Sequence, residues 1–208
     1  MKLNSVSCPS FQKTLVAQTK FRKNVGDEKP QDCKIYLLDD YDDISYLANL
    51  KFEDKWKNAV FLDIMDYDLS ICLDPRSQLN TYVMEMGDEG ECIACAQTDR
   101  NYNATEITYL ETAPAYQNSP YNPRYSNIKY IGETFLAFFA KQAKKKSHTS
   151  RLELTSVFRA MPFYKEKCGF VSRSPATCEV KLILNEDKYK PLIKQNKKHT
   201  GSRLKLEG

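Results

Sequence analysis

The segment "KYIGETFLAFFAKQAKKK" carries one glycine, Gly132, where a polar loop gives way to a helical pattern. Phe135, Leu136 and Phe139 follow it with the spacing of one helix face. The first backbone N–H groups of a helix have no acceptor within the helix, and the helix dipole favours negative charge there. Glycine lets a ligand approach these groups without a side chain in the way. The segment therefore predicts a phosphate-binding helix start, although an ordinary loop-to-helix junction has the same pattern.

Two glutamates in one predicted strand are candidates for a general base. The segment "ATEITYLETA", residues 104–113, is rich in Thr, Ile and Tyr and stops at Pro114, as a strand does. It contains Glu106 and Glu111, and a carboxyl group that loses hydration among apolar strand neighbours is suited to act as a base. Because the two residues are five positions apart, strand alternation predicts that they face opposite sides. The alternative for each is a solvent-facing edge position.

The cysteines do not indicate a disulfide framework or a metal site. There are seven of them, an odd number, and we recognise no export signal, so we expect reduced thiols. Only Cys92 and Cys95, in "CIAC", have the spacing of metal ligands, and His148 and His199 are the only histidines. A spacing of three along a strand predicts that the two thiols point to opposite faces. We therefore expect no bound metal.

The elements that position these residues follow from the periodicity of apolar residues. A polar loop rich in Pro, Asn and Tyr, residues 114–127, has the length that functional loops often have. Residues 58–65 and 68–73 are apolar and compatible with strand or helix. Strands are predicted at 34–38, 81–86, 92–98, 104–113, 151–157 and 178–184, and helices at 39–52, 132–146 and 160–170. This order predicts an α/β (α+β) fold with a mixed, mostly antiparallel central sheet flanked by helices.

Length and charge limit the organisation and the partners. The chain of 208 residues suits one domain, which we place at 33–187, with a peripheral N-terminal segment at 1–32 and a basic C-terminal tail at 188–208. The tail is expected to be frayed and solvated, and steering of an anionic ligand or nucleic acid is the alternative. A net charge of +4 is too small to indicate nucleic-acid binding. Without an apolar run long enough for a membrane, we expect a cytoplasmic protein.

Two motifs together resemble the GNAT superfamily of N-acetyltransferases, which use acetyl-CoA. In "KYIGET", Lys129, Gly132 and Thr134 stand at the positions of that family's pyrophosphate loop. In "AMPFYKEKCGF", Tyr164 stands where the family places a tyrosine beside the cofactor sulfur. The resemblance extends over residues 81–184.

The resemblance implies transfer of an acetyl group from acetyl-CoA to a primary amine, by direct attack in a ternary complex. Tyr164 would protonate the departing sulfur, or else be an aromatic packing residue, and Glu111 or Glu106 would be the base. The backbone at the end of the 104–113 strand would bind the pantetheine arm and polarise the thioester carbonyl. The implied cofactor-binding residues are Thr112, Ala113, Lys129, Tyr130, Ile131, Gly132, Glu133 and Thr134.

The resemblance also limits the expected partners. They are a small-molecule or protein amine and, because the family often pairs through its last strands, a second copy of the chain. The alternative function is a catalytically inactive GNAT-like module that binds a protein or a ligand.

Overall fold

The computed structural model describes residues 13–21, 30–38, 47, 49–50, 52–59, 79–101, 104–117, 130–145, 151–157, 160–173 and 179–207. Nine strands in this part of the chain form one sheet. They are β1 (Thr14–Phe21), β2 (Gln31–Leu38), β3 (Asn80–Met86), β4 (Glu91–Asn101), β5 (Ala104–Thr112), β6 (Arg151–Val157), β7 (Val171–Ser172), β8 (Glu179–Asn185) and β9 (Lys205–Leu206). The same part of the chain contains two long helices, α1 (Ile131–Lys145) and α2 (Glu186–Thr200). Neither is long and apolar enough to cross a membrane.

The sheet is mixed and mostly antiparallel, which confirms the predicted fold class. Its strand order is β7-β8-β6-β5-β4-β3-β2-β1-β9. All described neighbours pair antiparallel except β5 and β6, which are parallel. The strands predicted at 81–86 and 92–98 are confirmed, and they form the hairpin of β3 and β4. Its turn contains Gly87 and Gly90 with φ of 75° and 68°, a backbone conformation that favours glycine.

Helix α1 lies between the sheet and α2. Tyr82 of β3 packs edge-to-face on Phe138 and Phe139, with ring centroids 5.5 and 5.4 Å apart. On its other side, α1 packs against α2. Thr134, at the start of α1, bonds Asn196 near the end of α2, so the two helices run antiparallel. Because α1 is covered on two sides, it is buried well beyond the single apolar stripe predicted for it.

The N-terminal segment is part of the sheet, so the prediction of a peripheral segment at 1–32 is wrong for β1. Ala17, Thr19 and Phe21 are buried at alternate positions of this strand. The alternation is difficult to recognise from sequence because two of these side chains are small or polar and the residues between them are Gln and Lys. β1 is paired on one side with β2 and on the other with β9.

The C-terminal segment is also ordered, so the prediction of a frayed tail from residue 188 is wrong. Tyr189, Leu192 and Asn196 are buried with helical spacing in α2, and the helix ends at Gly201, whose φ is 68°. Exposed lysines between the buried residues, and Pro191 inside the helix, conceal this pattern in the sequence. Since β8 and β9 lie near opposite ends of the sheet, α2 and the residues after it cross the sheet over α1.

Most of the other predicted strands and helices are confirmed, and the rest lie outside the described residues. The strands at 34–38, 104–113, 151–157 and 178–184 and the helix at 132–146 are confirmed to within a few residues. The short helix at 160–170 is confirmed, and it contains a π-helical turn, Phe163–Lys167, followed by Gly169 with φ of 81°. Most of the predicted helix at 39–52 lies outside the described residues, as do residues 60–78 and 118–129.

Leu192→Ala is expected to destabilise the protein, because Leu192 is only 2% exposed and lies on the buried side of α2. Loss of this side chain should lower the free energy of unfolding by about 2–5 kcal/mol, measured by urea denaturation. The matched control is Lys194→Ala on the exposed side of the same helix, where we expect a change within about 0.5 kcal/mol. Equal effects of the two substitutions would show that α2 does not pack on the domain.

Candidate active site

The parallel strands β5 and β6 separate along their length. Their ladder consists of the pairs Thr105–Leu152, Glu106–Glu153 and Ile107–Leu154. β5 nevertheless runs on to Thr112, and β6 to Val157. Beyond the last pair the two strands are therefore unpaired with each other, and within the described ranges no other strand pairs with β5 on that side.

Backbone amides of β5 point into this opening. The amide of Ala113 donates to the carbonyl of Ile93 in β4 at 2.9 Å, so it points away from β6. N–H groups of successive strand residues point alternately to the two sides, so the amides of Leu110 and Thr112 are directed towards the opening. The prediction that the Ala113 amide binds a ligand is therefore wrong, because that amide belongs to the ladder with β4. The amide of Leu110, a residue that the sequence analysis did not single out, points into the opening, as was expected of the Ala113 amide.

The start of α1 has the geometry of a helix N-terminus with a glycine in its first turn. The first intrahelical bond runs from the amide of Thr134 to the carbonyl of Tyr130, at 2.9 Å. The amides of Ile131, Gly132 and Glu133 precede it and by helix geometry have no acceptor inside the helix. Tyr130 has φ of 70°, a rare conformation for a non-glycine residue. Such a start favours an anion.

Gly132 lies against the turn that carries Tyr164. A Cβ atom added to Gly132 would be 3.6 Å from Cζ of Phe163, which is an ordinary van der Waals distance. The two motifs singled out in the sequence, about thirty residues apart, are therefore neighbours in space. The backbone of Gly132 is not in the left-handed region, so the glycine is not required for its φ angle.

Tyr164 is partly buried in an aromatic cluster. Its ring packs edge-to-face on Phe163 and Phe170, with centroid distances of 5.1 and 5.8 Å. Burial, with a smaller contribution from the nearby Cys168, raises the pKa of Tyr164 to about 12. The phenol is therefore protonated at neutral pH and is a hydrogen-bond donor. This state suits the role of proton donor expected from the sequence.

Thr134 is occupied by contacts within the protein. Its amide and its hydroxyl both donate to the carbonyl of Tyr130, and the hydroxyl also accepts a bond from Asn196 Nδ2 at 2.8 Å. The amide and the hydroxyl of Thr134 thus have partners within the protein, and its contact with a cofactor stays a prediction. The carboxylate of Glu133 is turned towards α2, so only its amide is left for the predicted role. Lys129 lies outside the described residues.

β5 contains a β-bulge that sequence alternation does not show. In the ladder with β4, Ile107 pairs with Thr98 and Tyr109 pairs with the adjacent Gln97. Thr108 is thus an extra residue, which shifts the alternation of all side chains after it.

The bulge places Glu106 and Glu111 on the same face, so the prediction of opposite faces is wrong. Glu106 pairs with Asp99 and Glu111 with Cys95, and these partners are four positions apart in β4. Both glutamates lie on the face of the sheet that points away from α1. The opposite face carries Tyr82, which packs on α1, and the residues paired with it, Ala96 and Leu110. Glu106 belongs to the closed part of the β5–β6 ladder, whereas Glu111 lies beyond the point where the strands separate.

Glu106 is next to an ion cluster around the buried Glu153, which the sequence did not indicate. Glu153, only 4% exposed, lies 3.0 Å from Lys181, 2.6 Å from Arg151 and 3.7 Å from Arg173. Lys181 is also 3.8 Å from Glu106. Burial alone would raise the pKa of Glu153, but the three cations outweigh it and hold that pKa below its usual value. This arrangement keeps Glu153 charged and structural, and it leaves Glu111 as the better placed candidate base.

Cys92 and Cys95 lie on the same face of the sheet, so the prediction of opposite faces is wrong for this pair as well. A second bulge, at Ile93 in the ladder between β3 and β4, puts Cys92 and Cys95 on one face. Their Sγ atoms are 3.8 Å apart and both residues are buried. Among the described residues, no group of three or more His, Cys, Asp or Glu side chains is placed to hold a metal ion.

Comparison with known proteins supports the fold. No protein-family model and no curated protein sequence matches the chain. Among solved structures, mutant forms of the spermidine/spermine N-acetyltransferase SpeG from Vibrio cholerae align with 13% identity and a TM-score of 0.51, over 76% of this chain and 96% of that one. A protein from Bacillus halodurans aligns with 12% identity and a TM-score of 0.55, over 80% and 92%. The chain thus has the fold of GNAT-type N-acetyltransferases.

Proposed function

We propose that this protein is a GNAT-type N-acetyltransferase that transfers an acetyl group from acetyl-CoA to a primary amine by direct attack in a ternary complex. The proposal depends most on the contact between Gly132, in the first turn of α1, and Phe163, next to Tyr164. It supports a site in which an anion-binding helix start and a phenol are close together.

The first step is to hold acetyl-CoA. The amides of Ile131, Gly132 and Glu133 would bind its diphosphate at the positive end of the α1 dipole. The pantetheine arm would lie in the opening between β5 and β6, where the Leu110 and Thr112 amides can bond to it. One of these two amides would polarise the thioester carbonyl and stabilise the charge that develops on its oxygen.

The second step is transfer. A neutral amine attacks the carbonyl carbon, a carbon–nitrogen bond forms, and the carbon–sulfur bond then breaks. Tyr164, kept protonated by burial, gives its proton to the departing thiolate. Glu111 takes the proton that the amine loses, from the face opposite α1. Glu106, near Lys181 in the closed part of the ladder, is the less suited of the two predicted bases.

The proposal specifies the acetyl acceptor only as a primary amine. The name of SpeG states that it acts on spermidine and spermine, so polyamines are the first amines to examine. A protein amine remains the other predicted acceptor, and pairing of two copies through the last strands remains a prediction.

A second function, ligand binding without catalysis, is favoured by one observation. The buried carboxylate of Glu133 is in the first turn of α1, where its negative charge opposes a diphosphate. Release of free thiol from acetyl-CoA in the presence of a panel of amines distinguishes the two functions. An active protein releases thiol only with a suitable amine, whereas an inactive module releases none.

Substitution of Gly132 tests the diphosphate site. Gly132→Glu adds a carboxylate at the start of α1, and we expect it to weaken CoA binding by at least about tenfold in calorimetry. Gly132→Ala is the matched control: its Cβ would make an ordinary contact with Phe163, so the fold and CoA affinity should be retained. If the Glu and Ala variants bind CoA equally well, the diphosphate does not bind at this helix start.

Tyr164→Phe tests the proton donor. We expect kcat to fall about a hundredfold or more, because the sulfur loses its acid, while KM for acetyl-CoA changes by less than about threefold. Tyr189→Phe, which removes another buried phenol in α2, should leave kcat within about twofold of wild type. An unchanged kcat in the Tyr164→Phe variant would exclude Tyr164 from the mechanism.

A further inference from the structure

A side-chain cluster links the start of α1 to the last turn of α2. The carboxylate of Glu133 is 3% exposed, and His199 Nδ1 lies 3.0 and 3.1 Å from its two oxygens. Gln195 Nε2 donates to the same carboxylate at 3.0 Å. The ring of Tyr130 stacks on the ring of His199, with centroids 4.2 Å apart and planes at 21°. Two elements far apart in sequence therefore fix one imidazole.

The cluster determines which atom of His199 is left for a ligand. Nδ1 faces Glu133, and Tyr130 covers one face of the ring, so Nε2 is the polar atom without a role in the cluster. The side chain is 29% exposed. Because Tyr130 and Glu133 lie on either side of Gly132 in the chain, the imidazole is held beside the first turn of α1.

The cluster also offsets the negative charge of Glu133, which disfavours an anion at the start of α1. An isolated Glu133 carboxylate would repel a diphosphate bound at the start of α1. His199 in the last turn of α2 contacts this carboxylate, and the exposed Lys197 and Lys198 precede it in the same turn. A protonated His199 balances the Glu133 charge, and its Nε2–H is then a donor suited to a phosphate oxygen.

We propose that α2 completes the phosphate-binding site, with His199 as a cofactor ligand that Glu133 and Tyr130 position. The ligand class is the diphosphate part of CoA, and the inference rests on the proposed function. Nε2 of His199 donates to a phosphate oxygen from the side of α2, while the α1 amides bind from the other side. The C-terminal helix is thereby part of the cofactor site as well as a cover for α1.

The imidazole signals of the folded protein test this proposal without altering the site. The chain has only two histidines, so a His148→Gln variant assigns both Cε1–H resonances in an NMR spectrum. We expect CoA, and inorganic diphosphate at higher concentration, to shift the His199 resonance. Calorimetric binding of CoA with an unmoved His199 resonance would overturn this inference alone. Absence of CoA binding to the wild type would overturn the proposed function, and this inference with it.

A pair of variants separates positioning from a structural role. His199→Gln retains a donor near Glu133 but removes the imidazole, and we expect KM for acetyl-CoA to rise about tenfold with kcat within about twofold. Lys190→Gln removes one charge from the exposed part of the same helix and should change KM by less than about twofold. Equal KM values for the two variants, or a loss of kcat without a change in KM, would contradict the proposal.

Discussion

The structure depends on one feature of the sheet, the end of the hydrogen-bonded ladder between β5 and β6. Two parallel strands pair as far as Ile107 and Leu154 and then continue without pairing. Backbone N–H and C=O groups need partners, so an opened parallel pair is a place where a ligand can supply them. The amides of Leu110 and Thr112 face this opening.

Burial on both sides of α1 sets the geometry of the rest of the site. The Phe-rich side of α1 packs on Tyr82, and α2 covers its other side. This packing fixes the start of α1 against the turn that follows β6, where Phe163 lies next to Gly132. The same contact between helices brings His199 to Glu133. Stability and the candidate phosphate site therefore depend on the same pair of helices.

Elements with strong periodicity could be predicted from the sequence. Predictions of which side chains share a face of the sheet failed where they depend on pairing with a neighbouring strand. The strand at 104–113, the helix at 132–146 and the turn around Tyr164 were recognisable from alternation, helical spacing and Gly132. The bulges at Thr108 and Ile93 were not, because an extra residue is defined only by the register of the neighbouring strand. Each bulge reversed a prediction about which side chains share a face.

The C-terminal helix was missed for a different reason. Its buried positions are few and partly polar, such as Asn196 and Thr200, whereas its exposed lysines dominate the composition. The tertiary contact with α1, rather than an apolar stripe, is what defines it. The contribution of His199 to the site could likewise not be predicted, since it depends on a contact between residues far apart in sequence.

In the proposed function, one ligand engages both the start of α1 and the opened edge of β5. Hydrogen–deuterium exchange with and without CoA measures this most directly, because it reports on the amides themselves. We expect slower exchange in peptides covering residues 108–113 and 130–134 when CoA is present, with no change in β1. Protection confined to other parts of the chain, or absent at saturating CoA, would contradict it.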